Sequence, residues 1–186
     1  MQNKRPVIYW VLSAGLVVFL VSLIVVAPVA AATGHTEVAA GIYHAFSPFC
    51  HQRADRSFFI AGYQFAVCAR CTGVYAGFAL TLLLYPFIRS LKSTIMPPRI
   101  VLVLAALPLA IDFSVTFFGF WENTHTSRLL TGALLGSVTV FYVMPGIIEL
   151  SLRNSRTTRA KPMFTLASPE AIASAPSDYS APDRRI

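Results

Sequence analysis

The sequence predicts an all-α membrane protein of about four transmembrane helices, N-in and C-in, with a Cys/His hairpin loop on the outer face. Three observations carry this. The 186 residues are 55% hydrophobic and only 12% charged, which fits a polytopic membrane protein better than a soluble domain. Four apolar stretches approach the ~20 residues a spanning helix needs: Val7 to Ala31, Thr72 to Ile88, Ile100 to Phe120 and Leu129 to Leu150. Most of the basic residues fall in three groups: Lys4 and Arg5; Arg89, Lys92 and Arg99; and Arg153, Arg156, Arg159 and Lys161. An even number of spans puts all three groups on one side, and the positive-inside rule makes that side cytoplasmic. The net charge of +7 then reports orientation rather than nucleic-acid binding. A basic rim of this kind also suits anionic membrane lipid.

The elements divide as residues 1–32, 33–71, 72–153 and 154–186. The first is a transmembrane helix. Lys4-Arg5 and Ala30-Ala31-Ala32 give it some character of a signal anchor, but its apolar run exceeds the ~7–15 residues of a secretory signal. The second is the one sizeable loop. Val38 to Phe49 is apolar and aromatic and suits a short interfacial helix ended by Ser47-Pro48. Two short β-like runs flank Ala61-Gly62 and predict a hairpin whose second arm delivers Cys68 to the mouth of span two. The third segment carries spans two to four. Span two opens on Gly73 and Gly77 and span four on Gly132 and Gly136, each a GxxxG pattern that allows close helix approach. Span three contains Pro108 and, four residues on, Asp112. The last segment, rich in Ser, Ala, Pro and Arg, reads as a disordered cytoplasmic tail.

All three cysteines and all four histidines fall on the outer side. His35, His44, Cys50, His51, Cys68 and Cys71 lie in the loop and His125 in the next one. Cys68-x-x-Cys71 is the sharpest element, since two thiolates at this spacing can bind one metal ion or close a disulfide. Cys50, separated from Cys68 by seventeen residues across the hairpin, is a natural third ligand. His51 is the preferred fourth, with His44 and His125 as substitutes, and a Cys₃His set favours zinc over an iron–sulfur cluster. Arg70 stands between the two cysteines, where its charge would lower a thiol pKa. A structural disulfide between Cys68 and Cys71 is the plainer alternative, though three is an odd number for a purely structural framework.

Asp112 is the second clue, because a carboxylate inside a span is costly and faces a partner or a water-filled cavity. Arg128, at the outer start of span four, is the expected partner. The pair is either a structural salt bridge or catalytic machinery, with Asp112 as general base beside a metal-activated water. Arg53 and Arg56 read as solvated charges, as partners of Asp55, or as contacts to lipid phosphate.

Taken together, Cys50-His51-Gln52, Arg56-Ser57-Phe58, Gly62, the run Cys68-Ala69-Arg70-Cys71-Thr72-Gly73-Val74-Tyr75-Ala76-Gly77, Asp112, Arg128 and Thr131-Gly132 resemble a prokaryotic family of small integral-membrane proteins catalogued as domain of unknown function 2085. The resemblance spans roughly residues 40 to 140. It implies a multi-span protein whose Cys-His-Gln and Cys-x-Arg-Cys-Thr-Gly motifs act together, and it implies no activity. It carries over to Cys50, His51, Gln52, Cys68, Arg70, Cys71, Asp112 and Arg128. It lapses after Asp112, where family members often have Gly and a nearby Gln and this chain has Phe113, Ser114 and Val115.

The leading expectation is an outer-face zinc site, with iron as the other candidate metal, in a membrane-embedded enzyme acting on a lipid or small molecule. Cys50, His51, Cys68 and Cys71 would be ligands, and Asp112 and Arg128 would line a polar pocket beneath. The rivals are a membrane thiol oxidoreductase using Cys68 and Cys71, and a non-enzymatic assembly protein that offers its GxxxG faces to a partner helix. A homo-oligomer fits either, and would give a metal transporter the room that four spans in one chain lack.

Overall fold

The structure, a computed structural model, describes residues 5–159. Residues 1–152 form one compact unit, which carries every feature of the site; residues 153–186 form a second, described only as far as Arg159. Five helices dominate: α1 (Arg5–Ala32), α2 (Thr36–Phe46), α3 (Ala69–Ile88), α4 (Arg99–Phe117) and α5 (His125–Arg159). A two-stranded hairpin, β1 (Phe59–Ile60) and β2 (Tyr63–Gln64), lies between α2 and α3. Four helices are long and apolar enough to cross a membrane: Pro6–Ala32, Ala69–Ile88, Arg99–Phe117 and His125–Leu150. They match the four expected spans to within a few residues. The expected disordered tail falls outside the described residues except at 154–159, which continue α5 as helix.

Two of the four spans are interrupted by proline in a way that binds the fold together. Proline has no N–H, so the carbonyl four residues before it loses its helix partner. Pro28 in α1 frees the Ile24 carbonyl, and the Ala66 N–H of the loop donates to it at 3.3 Å. Pro86 in α3 frees the Leu82 carbonyl, and the Trp10 indole N–H of α1 donates to it at 2.8 Å. In a bilayer an unpaired backbone carbonyl costs several kcal/mol, so each proline creates an acceptor that another element must fill.

The α3–α5 contact is made of glycine. A methyl group on Gly73 or Gly77 would run into the Leu129 or Ala133 carbonyl, and one on Gly132 or Gly136 into the Arg70 or Val74 carbonyl. The two GxxxG patterns therefore face each other, backbone on backbone, and Ser137 Oγ adds a hydrogen bond to the Gly77 carbonyl at 3.2 Å. These glycines are thus engaged in helix packing within the chain, which takes them from the rival reading that offers them to a partner helix. Lower in the same pair, Leu82, Tyr85, Val140, Met144 and Ile148 form a buried cluster with Ala14 of α1.

The loop is held as a cap over this bundle. Ala61 (φ 50°) and Gly62 (φ 84°) both lie in the left-handed region, as a two-residue hairpin turn requires for its twist to match the strands. Phe59 pairs with Gln64 and Ile60 with Tyr63. Helix α2 buries Ala39, Ile42 and Phe46. Ile42 and Phe46 join Ile24 and Ala27 of α1, Cys50, Ala66 and Val67 in one cluster.

Candidate metal centre

Three segments converge on one point. Cys50 follows α2, Cys68 caps the N-terminus of α3, and Cys71 lies in the first turn of that helix. Their Sγ atoms all lie within 4.8 Å of one another. Cys50 is buried, and Cys68 and Cys71 are half-buried. Three zinc–sulfur bonds of about 2.3 Å in a tetrahedral arrangement set sulfurs just under 4 Å apart, so the triangle needs only a slight contraction to grip an ion.

The backbone prepares the sulfurs for negative charge. The Cys68 N–H donates to Cys50 Sγ at 3.2 Å and the Gln52 N–H to the same sulfur at 3.5 Å. The second donor is aimed by the left-handed conformation of Gln52 (φ 47°). The neighbouring Cys50 and Cys71 thiols, and then the backbone N–H groups of Cys71 and Arg70 at the start of α3, hold the Cys68 thiol well below its ordinary value. The positive end of the α3 dipole acts in the same sense.

Gln52 has a role that sequence reasoning missed. Its side-chain amide donates to the Tyr43 carbonyl (2.7 Å) at the end of α2 and to the Ala66 carbonyl (2.8 Å) next to the CxRC turn. Gln64 returns a hydrogen bond to the Gln52 carbonyl at 3.2 Å, and Tyr43 Oη donates to the Gln64 carbonyl at 2.5 Å. Gln52 thus staples α2, the hairpin and both cysteine segments together. The sequence offered it only as the last residue of the Cys-His-Gln motif, with no role attached.

Arg70 and Asp112 form the ion pair of the site, with NH2 to Oδ2 at 2.5 Å and side chains 21% and 8% exposed. This corrects two expectations: the partner of Asp112 is Arg70 rather than Arg128, and the Arg70 guanidinium turns to Asp112 rather than to the thiols. The other Asp112 oxygen accepts Ser127 Oγ at 2.9 Å, and Asn123 Nδ2 donates to the Asp112 carbonyl. Asp112 therefore ties the α4–α5 loop through its backbone carbonyl, and α3, α4 and α5 through its carboxylate, at the end of the bundle that bears the cysteines. Both of its oxygens are engaged, which is the pattern of a positioning group.

The structure gathers the cysteines and leaves the histidines apart. Among the described residues the metal-competent group is Cys50, Cys68 and Cys71. His51 is exposed beside Cys50, His44 and His35 are exposed on and before α2, and His125 lies against Phe58 with ring centroids 5.7 Å apart and the rings tilted at 42°. Arg128 is buried at 7% exposure next to this network.

Residues 50–142 match the family described as predicted membrane protein, DUF2085. The chain belongs to that family. An uncharacterized protein of Methanocaldococcus jannaschii is 38% identical over 109 residues, covering 59% of this chain and 70% of its own length. An uncharacterized protein of Methanothermobacter thermautotrophicus is 36% identical over 91 residues, covering 49% of this chain and 80% of its own length. No solved structure matches. The matched region begins at Cys50 and holds all three cysteines, Asp112 and Arg128, so this DUF2085 member carries its candidate site within the part it shares with the family. It is a multi-pass membrane protein.

Proposed function

We propose that this DUF2085 protein holds one zinc ion as a tris-thiolate centre on the outer face of the membrane. Cys50, Cys68 and Cys71 are the protein ligands, and the fourth position is left to water. The observation that carries the reading is the convergence of three sulfurs, two of them brought by a helix N-terminus and the third receiving two backbone N–H groups. Three protein ligands with the fourth position open to solvent is the plan of a catalytic rather than a purely structural zinc site. Hydrolysis or group transfer on a lipid or small molecule is the chemistry such a site would support. The Arg70–Asp112 pair acts through the CxRC turn, fixing the two α3 thiolates rather than moving a proton.

The outer-face assignment is supported by charge. Arg89, Lys92 and Arg99 lie between α3 and α4, at the opposite ends of those helices from Cys68 and Asp112. The positive-inside rule makes their side cytoplasmic.

Elemental mass spectrometry on anaerobically purified protein tests the centre, with a Cys68→Ser/Cys71→Ser variant beside it. About one zinc per chain in the wild type and none in the variant is expected. A metal-free wild type overturns the proposal. A second reading, a membrane dithiol, is favoured by the position of Cys68 at a helix N-cap, where reactive thiolates occur. It predicts no metal and a reversible Cys68–Cys71 disulfide.

A further inference from the structure

A second polar feature lies beside the centre, on the far side of Arg70. A cavity of about 50 Å³ is lined by Arg56, Arg70, Phe113, Thr116, Phe117 and Arg128. It has several times the ~10–15 Å³ that one water molecule needs. Three of its six walls are guanidinium groups, and they come from the loop, α3 and α5.

These cations are not neutralised by their surroundings. Asp112 takes one NH2 group of Arg70, while Arg70 Nε is buried with no hydrogen-bond partner. Asp55, 55% exposed, is shared between Arg53 at 3.1 Å and Arg56 at 3.3 Å. Arg128 is 7% exposed and makes no ion pair among the described residues. Four guanidiniums, of Arg53, Arg56, Arg70 and Arg128, thus face two carboxylates, an excess of two positive charges. Glu122 is exposed and does not line the cavity. Burying an uncompensated arginine is costly enough that a site of this kind calls for an anion. The α5 N-terminus, one turn before Arg128, adds its own positive potential.

The walls that are not basic are apolar and open outward. Phe113 is 48% and Phe117 72% exposed on α4, a helix whose span is almost wholly uncovered by protein. Arg70 lies 5.7 Å from the Phe113 ring centroid. A cationic floor at a helix end with an apolar, lipid-facing flank matches a group that is anionic at one end and hydrocarbon at the other.

We propose that the Arg56–Arg70–Arg128 cavity binds a phosphoryl group, that of a phospholipid headgroup being the one its position favours. Guanidinium forks pair with phosphate oxygens two at a time, and the exposed Phe113 and Phe117 rings lie where the glycerol and first acyl carbons of a bound lipid run. Nothing in this site requires the metal.

Native mass spectrometry of the full chain in neutral detergent tests it, with phosphatidylglycerol, diacylglycerol of the same chains and inorganic phosphate as probes. The wild type is expected to retain one phosphatidylglycerol and no diacylglycerol. Arg56→Gln, at a half-exposed position that should not disturb folding, is expected to weaken retention by about tenfold or more. Arg128→Lys keeps the charge and the buried stem but loses the planar fork, and is expected to weaken it several-fold. Arg99→Gln, at the start of α4 and the opposite end of the bundle, should change nothing. Zinc content should be unchanged in Arg56→Gln, which separates this site from the centre. Inorganic phosphate that binds with the same arginine dependence while the lipid does not would support the phosphoryl site with a soluble source. Equal retention of diacylglycerol, indifference to both variants, or no binding of either phosphate form overturns it.

Discussion

Asp112 is the residue on which most of the site's geometry turns, and its worth is mechanical. It is 8% exposed, ion-paired to the residue between two candidate ligands, and hydrogen-bonded to a second helix. Asp112→Asn keeps the shape and leaves the Arg70 charge uncompensated. The expected cost is about 2–4 kcal/mol in thermal unfolding in detergent, toward the lower end of what breaking a buried pair costs because Arg70 is partly exposed. Zinc affinity should fall about tenfold or more, as it does when a group that orients a ligand is lost. A variant with wild-type melting temperature and zinc content would show that the pair does not hold the turn. Gln52→Ala should behave similarly, at about 2 kcal/mol, because it strips donors from two carbonyls. Burial raises the Tyr43 hydroxyl above its ordinary value. Its contribution to stability is therefore complete below that ordinary value and lost as the pH rises through the raised one. Tyr43→Phe should abolish this alkaline loss. At this scale the sequence disclosed the chemistry-bearing residues but not their pairings. Asp112 could be recognised as a buried carboxylate in need of a cation. Which of two arginines answered it depended on the rotation of α3 against α4, which no local pattern encodes. The histidines misled for the same reason, since sharing a loop with the cysteines does not aim a ring at them.

Helices α3 and α5 approach at a distance only glycine permits, and that predicts a sharp contrast among glycines. Gly136→Ala puts a methyl into the Val74 carbonyl and should cost about 1–3 kcal/mol. Gly41→Ala, in α2 with nothing within 4 Å of the added carbon, should be neutral or stabilising by up to about 1 kcal/mol. Thermal unfolding of the two variants side by side decides it; equal losses would mean the helices do not meet as described. The prolines make a second element-level device. Trp10→Phe should leave the Leu82 carbonyl unpaired and cost about 1–2 kcal/mol, with Pro86→Ala partly restoring stability by giving that carbonyl back its helix partner. The GxxxG patterns were read from the sequence, as was the hairpin from Ala61-Gly62, whereas Pro28 and Pro86 took on meaning only with their partners. That the glycines face one another, and that a tryptophan 72 residues away fills a proline's vacant acceptor, are facts of tertiary packing.

The molecule as a whole presents an apolar shell and a polar end. Leu80, Leu84 and Phe87 on α3 and Val103, Leu104 and Leu107 on α4 are exposed, as they should be where the neighbour is lipid. The four spans were legible because hydrocarbon demands long apolar runs, and the family was legible because its motifs are short and dense. The sidedness proposed from charge has a direct test. In intact cells a membrane-impermeant thiol reagent should reach Cys68 or Cys71 once metal is chelated. A cysteine at Ser93, in the loop between α3 and α4, should react only after lysis. The reverse pattern would invert the topology and place the centre in a reducing compartment.

The three sulfurs come from residues 50 to 71, whereas the carboxylate that locks their turn is at 112 and its serine partner at 127. During synthesis the thiols therefore leave the ribosome well before the groups that steady them exist. An ion captured at that stage would sit in a loose turn and tighten as α4 and α5 join the bundle. A Cys68–Cys71 disulfide formed in the same interval, its two electrons passing to an external thiol oxidant, would close the site to metal before it was finished. For a metal centre built this way, the order of residues along the chain would make loading a race, run while the protein is still being made.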